Sequence, residues 1–351
     1  MGSVMDRRNN FDALRLIAAV SVIFSHAFLI GEGTQDPEPL MRLTGGQTIL
    51  GVVGVFVFFT ISGFLVTQSF ETTDSPWRFL AKRALRIYPG LLVCLLLSAF
   101  ALGPALTDLP APDYFRNSAS YFYITSNLSM IMPSNALPGV WFSSYGFGAV
   151  VDGPLWTLPC EVAMYLMLFA LGVLRWLDLR LILGLVAIGM VCLWFDTSSS
   201  DYFVGAAAWL LPFFTAGMAL YRLRDKGIFR GWIALAALTG MALSIPLHAF
   251  VFLFPLFGSY LIVYLAFEKR LPVINATRFG DLSYGLYIYG WPVEQTLVRL
   301  HGGPMAWSTL FLLALPITAA LAFLSWHLVE ARALRLKPKN TRRRETQLAA
   351  L

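Results

Sequence analysis

Residues 11–31 read FDALRLIAAVSVIFSHAFLIG. The run is apolar and of helical length, yet it carries Arg15 near one end and His26 near the other. The eleven steps between them make three helical turns plus about 20°, so both side chains fall on one face, roughly 16 Å apart along the axis. A bilayer interior makes guanidinium and imidazole groups costly, so an aligned pair points to a functional site. The competing account has Arg15 snorkelling to the surface and His26 as an ordinary packing histidine. The run alone leaves both open.

Outward from this run, the rest of the chain has the same character. Its 351 residues are 57% hydrophobic and 13% charged, with a mean hydropathy of +0.67, whereas a soluble domain is about one-quarter charged. Ten stretches approach the length needed to cross a bilayer: about 11–31, 49–70, 87–106, 155–174, 181–195, 203–221, 231–247, 249–267, 282–300 and 305–330. The expected fold is all-α, a polytopic membrane helical bundle of about ten transmembrane helices. Taking the connecting segments alternately, one set holds Arg7 and Arg8, the Arg78–Arg86 cluster, Arg175 and Arg180, Arg222–Arg230, Lys269–Arg278 and the tail cations. The other set holds only Arg42, Arg116 and Arg299. The positive-inside rule makes the first set cytoplasmic and places both termini inside. The chain then divides into a transmembrane domain over 1–335 and a basic cytoplasmic tail over 336–351, suited to anionic lipid. The first helix is too long for a cleaved signal. The net charge of +6 is topogenic and implies no nucleic-acid partner. Cys94, Cys160 and Cys192 have neither the even count of a disulfide framework nor the spacing of a metal site, so no metal is expected. In the long external segment, 121–132 is aromatic enough to be interfacial or re-entrant.

Polar residues recur at membrane depth. Gly51, Gly54 and Gly63 in the second span permit close helix approach, and packing is the favoured reading of Ser62 beside them. Arg83 and Arg86 are one turn apart if helical, so both guanidinium forks can address one polyanion; from spacing alone an ordinary positive-inside flank is the favoured reading. Thr157, Glu161 and Tyr165 recur every four residues on the fourth span, and a carboxylate at that depth needs a partner. Ser283, Tyr287, Trp291 and Glu294 share a face of the ninth, which carries Pro292 in its middle. His327 and Glu330 are one turn apart at the cytoplasmic boundary and read as an interfacial pair.

In that order these residues resemble the acyltransferase-3 family of bacterial integral-membrane O-acyltransferases. Arg15 and His26 fit its Arg-x10-His signature, Phe58–Phe64 its second-span motif, and Arg83-Ala84-Leu85-Arg86 its Arg-x-x-Arg element. Trp156-Thr157-Leu158-x-x-Glu161 and Ser283-Tyr284-x-x-Tyr287 fit two later elements. The resemblance implies residence in the bacterial inner membrane and an acyl-CoA donor, acetyl-CoA first, bound from the cytoplasm. It also implies a sugar hydroxyl of a polysaccharide, lipid-linked glycan or glycoside as acceptor, and no tightly bound cofactor. It makes His26 the essential residue. Two positions depart from the family: Gly290 stands where many members have histidine, and Ala331-Arg332-Ala333 replaces a proline after the last glutamate. Any role of that histidine is then absent here or supplied elsewhere, with Glu294 or Gln295 the nearby groups able to supply it. No stretch is left for the extracytoplasmic hydrolase-like domain that some relatives append.

The mechanism this implies has His26 taking the acceptor's hydroxyl proton, with Glu161 orienting or balancing the imidazole. Arg83 and Arg86 would hold the donor's phosphates, and Arg15, Trp156, Tyr287 and Glu294 would complete the substrate and CoA site. A covalent acyl-histidine relay is a second route within the same class. The alternative class is a non-enzymatic glycan transporter or flippase, against which stands the lack of an internal repeat. A membrane-embedded regulatory subunit is a third.

Overall fold

The structure, a computed structural model, describes residues 9–131, 133–142, 148–195 and 202–338. Among these the regular structure is all helical, with a single isolated bridge between Thr107 and Val140 and no strand. Arg7, Arg8 and the tail beyond residue 338 lie outside the described residues.

Helix α1 (Phe11–Glu32) is followed by the short α2 (Pro39–Leu43) and by α3 (Leu50–Glu71). Next come α4 (Pro76–Leu97), a π-helical turn at Ser98–Leu102, α5 (Gly103–Leu106), α6 (Ala111–Arg116) and α7 (Ser118–Ser129). A 3-10 turn at Gly153–Trp156 opens α8 (Thr157–Val173), then α9 (Leu179–Trp194), α10 (Tyr202–Leu223), α11 (Gly231–Ser244), α12 (Phe250–Leu253) and α13 (Phe257–Phe267). The last helices are α14 (Ser283–His301), α15 (Trp307–Ser325), a π-helical turn at Trp326–Glu330 and α16 (Ala331–Arg335). Six helical stretches are long and apolar enough to cross a membrane: Phe11–Glu32, Leu50–Glu71, Pro76–Leu106, Gly153–Val173, Phe203–Lys226 and Trp307–Arg335. Shorter apolar helices cover Leu179–Trp194, Gly231–Ser244 and Phe257–Phe267. This is a multi-pass helical membrane protein.

Each of the ten expected stretches falls on helix, with two differences. The stretch expected over 87–106 starts at Pro76, because Ser75 and Pro76 open the helix early and proline at a first-turn position costs no hydrogen bond. The basic residues Arg78–Arg86 therefore ride on α4 itself. The stretch expected over 249–267 is broken, since Pro255 interrupts it between α12 and α13.

The centre of the bundle is α14, the helix whose polar residues keep it out of the six. Every residue from Ser283 to Gln295 is buried. A helix buried all round cannot turn a polar face to water, so its hydroxyl, carboxylate and amide groups depend on partners inside, and the Glu294 oxygens have no hydrogen-bond partner there. It runs parallel to α1: Asp281, just ahead of α14, meets Arg15, Gly290 lies against Ile23 and Glu294 faces His26.

Helix α3 lies antiparallel against α1 and crosses α10 on its other side. A Cβ on Gly54 would sit 2.8 Å from the Ala18 carbonyl oxygen, and one on Gly63 would run into that of Phe214. The glycines of the second span thus serve helix approach, as the pattern suggested. Because the obstacle at Gly63 is backbone, Gly63→Ala is expected to cost at least the ~1–3 kcal/mol of ordinary overpacking. Thermal unfolding in nanodiscs checks this against Gly184→Ala, where an added methyl meets nothing within 4 Å.

At the far end of α1, Glu38 ties the α1–α3 connection down. Fully buried, it accepts hydrogen bonds from the Ser25 hydroxyl (3.2 Å), the Leu50 N–H (2.9 Å) and the Met41 N–H (2.8 Å). Ser25, next to His26, in turn accepts from the Gly51 N–H at 2.7 Å.

Candidate functional site

A cavity of about 390 Å³ opens among α1, α3, α4, α8 and α14 and the turn Trp326–Glu330. It is charged at one end and apolar at the other.

At the charged end Asp281 is the pivot. Its Oδ2 lies 3.2 Å from Arg15 Nη1 and 2.6 Å from Arg86 Nη2, and its Oδ1 accepts from the Ser283 hydroxyl at 2.7 Å. Burial by itself would raise the Asp281 pKa, but the two guanidiniums and the Ser283 donors hold it well below the usual carboxylate range. Arg86 also faces Glu330 at 4.0 Å, whose other oxygen accepts from Ser325. Arg15 and Arg86 are therefore already paired. Arg83 differs: it lines the same cavity, lies 5.9 Å from the Tyr165 ring, and its buried Nε has no hydrogen-bond partner. Lys337 completes this end; burial first, then Arg83, Arg86 and Lys82, lower its pKa. A cation crowded by cations and a guanidinium nitrogen without an acceptor favour an anion there.

Midway, Glu161 accepts hydrogen bonds from Tyr165 and from Ser62, the latter at 3.4 Å. At the apolar end are Val55, Phe58, Phe59 and Leu158, with Tyr287 and Thr157 hydroxyl to hydroxyl at 2.8 Å. The cavity stops there. On α14 its lining ends at Tyr287, one turn short of Trp291, and on α3 at Val55, one turn short of Gly51 beside Ser25.

One turn beyond lies His26. Its Nδ1 is buried and unbonded, 3.8 Å from Glu294 Oε2, and its ring meets Trp291 edge-on at 4.8 Å between centroids. That separation is too long for a hydrogen bond, but the two are neighbours. Glu294 is fully buried, and neither of its oxygens has a hydrogen-bond partner. Trp291 donates its indole N–H to the Val150 carbonyl at 3.0 Å, which holds the ring in place.

Of the residues singled out in the sequence, Arg15, Arg83, Arg86, Glu161 and Tyr287 line the one cavity, while His26 and Glu294 form a pair beyond it. Several expectations change. Glu161 does not reach His26; it is held by Ser62 and Tyr165, and Glu294 is the carboxylate beside the imidazole. The reason is register: Glu161 lies one turn further along α8 than Thr157, on the cavity side of the Thr157–Tyr287 contact. Ser62, expected to pack, lines the cavity. Trp156 belongs to the 3-10 turn and stands 6.4 Å from Trp209, off the cavity. His327 and Glu330 do not pair: His327 is exposed and bonded to the Phe323 carbonyl, because the π-helical turn rotates Glu330 inward. Gly290 packs α14 on α1, with a Cβ there 2.9 Å from Ile23, which leaves no room for the histidine of other members. Asp281 and Lys337 escaped sequence reading because a lone acid before a helix and one lysine of a basic tail carry no pattern.

Such an interior, an ion-paired and cation-lined cavity with a half-buried imidazole one turn beyond its end, defines a multi-pass helical membrane protein with a polar cavity inside its bundle. The chain belongs to the acyltransferase-3 family, whose model, described as an acyltransferase domain, matches residues 8–327. It is 32% identical to an O-acetyl transferase of Shigella phage Sf6, covering 95% of this chain and 99% of that one. It is also 32% identical to Nodulation protein 10 of Rhizobium leguminosarum bv. viciae, covering 96% of each. It is 26% identical to Acyltransferase MdmB of Streptomyces mycarofaciens, over 84% of this chain and 81% of that one. No solved structure matches.

Proposed function

We propose that this protein is an acyl-CoA-dependent O-acyltransferase of the bacterial inner membrane, moving an acyl group, acetyl first, to a sugar hydroxyl of a polysaccharide, lipid-linked glycan or glycoside. The observation that carries this is the polarity of the cavity. It pairs an end with an unengaged Arg83 guanidinium nitrogen and Lys337 with an end of Val55, Phe58 and Leu158. A donor with phosphates at one end and a small acyl group at the other matches both ends. At about 390 Å³ the space suits the arm of such a donor, ligand pockets running from roughly 300 to 1,000 Å³. About ten spans, with both termini cytoplasmic, put the arginine end toward the cytosol, where acyl-CoA is made, and surround the protein with lipid as its standing partner.

In this reading His26 accepts the proton of the acceptor hydroxyl as its oxygen attacks the thioester carbonyl. The C–O bond forms, the C–S bond breaks, and the proton passes from the imidazolium to the departing thiolate. Glu294, 3.8 Å away, orients the imidazole through its charge rather than through a hydrogen bond. In the relay version the imidazole takes the acyl group first, releasing CoA thiol, and the hydroxyl then takes it from nitrogen.

Radiolabelled acetyl-CoA supplied to membranes containing the protein tests the reading. Label recovered in isolated glycan supports it, and glycan translocation without label supports the transporter instead. A narrower test concerns the donor. Arg83→Ala should weaken acetyl-CoA binding by roughly 10–100-fold, the loss of a charge-assisted contact, measured by calorimetry in nanodiscs. Arg86→Ala should show first as lower thermal stability, because it removes the cation facing the buried Glu330 and leaves Asp281 to Arg15 alone.

A further inference from the structure

The cavity and His26 are separated by one layer of side chains. Phe58 of α3 meets Tyr287 of α14 edge-on, with ring centroids 5.5 Å apart. Tyr287 is held from the other side, its hydroxyl 2.8 Å from that of Thr157 and 3.3 Å from the Pro154 carbonyl it donates to. Val55 and Leu158 line the cavity along with these two rings. Beyond it stand Trp291, His26 and Glu294, none of which lines the cavity. On α1 the step between is taken by Val22, which is 3% exposed.

We infer that Phe58, braced against the latched Tyr287, is the residue that sets the length of the acyl group this protein transfers. The inference rests on the acyl-CoA reading above and adds to it the class of acyl group, a short one. Of the two rings, Tyr287 is held in place by two polar contacts, whereas Phe58 is only partly buried and is held by packing. Phe58 is thus the side that gives way. An acetyl group needs only a small displacement of one ring to carry its carbonyl past the layer. Each further methylene must either displace the ring more or fold back against Val55 and Leu158. One methylene at a tight apolar wall changes selectivity by roughly 10–200-fold.

Acetyl-, propionyl-, butyryl- and hexanoyl-CoA, each labelled in the acyl group, are to be supplied to membranes carrying wild type, Phe58→Leu or Phe58→Ala, and label in the glycan fraction measured. Binding of the same four donors is measured on the proteins in nanodiscs. The wild type should transfer acetyl best and lose roughly tenfold or more per added methylene. Phe58→Leu should move the optimum to propionyl or butyryl, and Phe58→Ala further, with the butyryl-to-acetyl ratio rising about tenfold or more. Wild type that uses hexanoyl-CoA as readily as acetyl-CoA overturns the inference without any variant. Unchanged chain-length profiles in folded variants overturn it while leaving the acyl-CoA reading standing. If no donor gives label in wild type, the acyl-CoA reading itself fails and the inference falls with it.

Discussion

His26→Ala should lower acyl transfer by roughly 10²–10⁴-fold, the range for removing a positioned general base, while acetyl-CoA binding stays within a few-fold of wild type. The second half of that expectation follows from the geometry. His26 lies one turn beyond the end of the cavity proposed for the donor, so its loss removes nothing that lines it. Glu294 sharpens the test. Read from sequence it is a substrate-binding residue, whereas in the structure its carboxylate is 3.8 Å from the imidazole and away from the cavity. Glu294→Gln should therefore cut kcat on the order of 10–100-fold, the penalty for a misplaced reacting group, and leave the donor KM unchanged. A raised donor KM with kcat intact would return Glu294 to the donor site and break the pairing with His26.

The second large effect belongs to Asp281. Asp281→Asn leaves Arg15 and Arg86 side by side without the carboxylate between them, and breaking a mostly buried pair costs about 3 kcal/mol or more. The thermal midpoint in nanodiscs should fall accordingly. Acetyl-CoA affinity should hold or rise, because two guanidiniums at the cavity wall are released to meet the donor's phosphates. The pH dependence carries the same signature. The folded-state pKa of Asp281 is depressed, so its stabilisation is present at neutral pH and lost as pH falls through that low value. Wild type should lose stability in strong acid by a margin that Asp281→Asn lacks. If the variant is as stable as wild type at neutral pH, the ion-paired pivot contributes nothing and the charged end of the cavity must be held by packing alone.

How far the sequence reaches differs between these two sites. Helices repeat every 3.6 residues, so a face can be read from spacing: Arg15 and His26 on one, Thr157, Glu161 and Tyr165 on another, Ser283 to Glu294 on a third. Each of these faces does turn inward. Spacing says nothing about axial register between helices. Both Glu161 and Glu294 sat at a plausible depth for His26, and a single turn of offset decided which one met it. Asp281 had no periodic partner at all, yet it gathers two arginines 266 and 195 residues away in sequence.

The sequence by itself determined that this is an all-helical membrane protein, which family it resembles, and which faces of α1, α8 and α14 are polar. Those follow from local physics: apolar length against bilayer thickness, and side-chain direction against helical period. Only the tertiary structure decided that Arg15 and Arg86 share one carboxylate while an Arg83 nitrogen stays unbonded, and that Glu294 rather than Glu161 stands by His26. It also decided that a Phe58–Tyr287 layer parts the cavity from the imidazole. Partners of that kind depend on how far one helix slides past another. That slide is set by close contacts such as Gly54 on Ala18 and Gly63 on Phe214, which no single helix encodes.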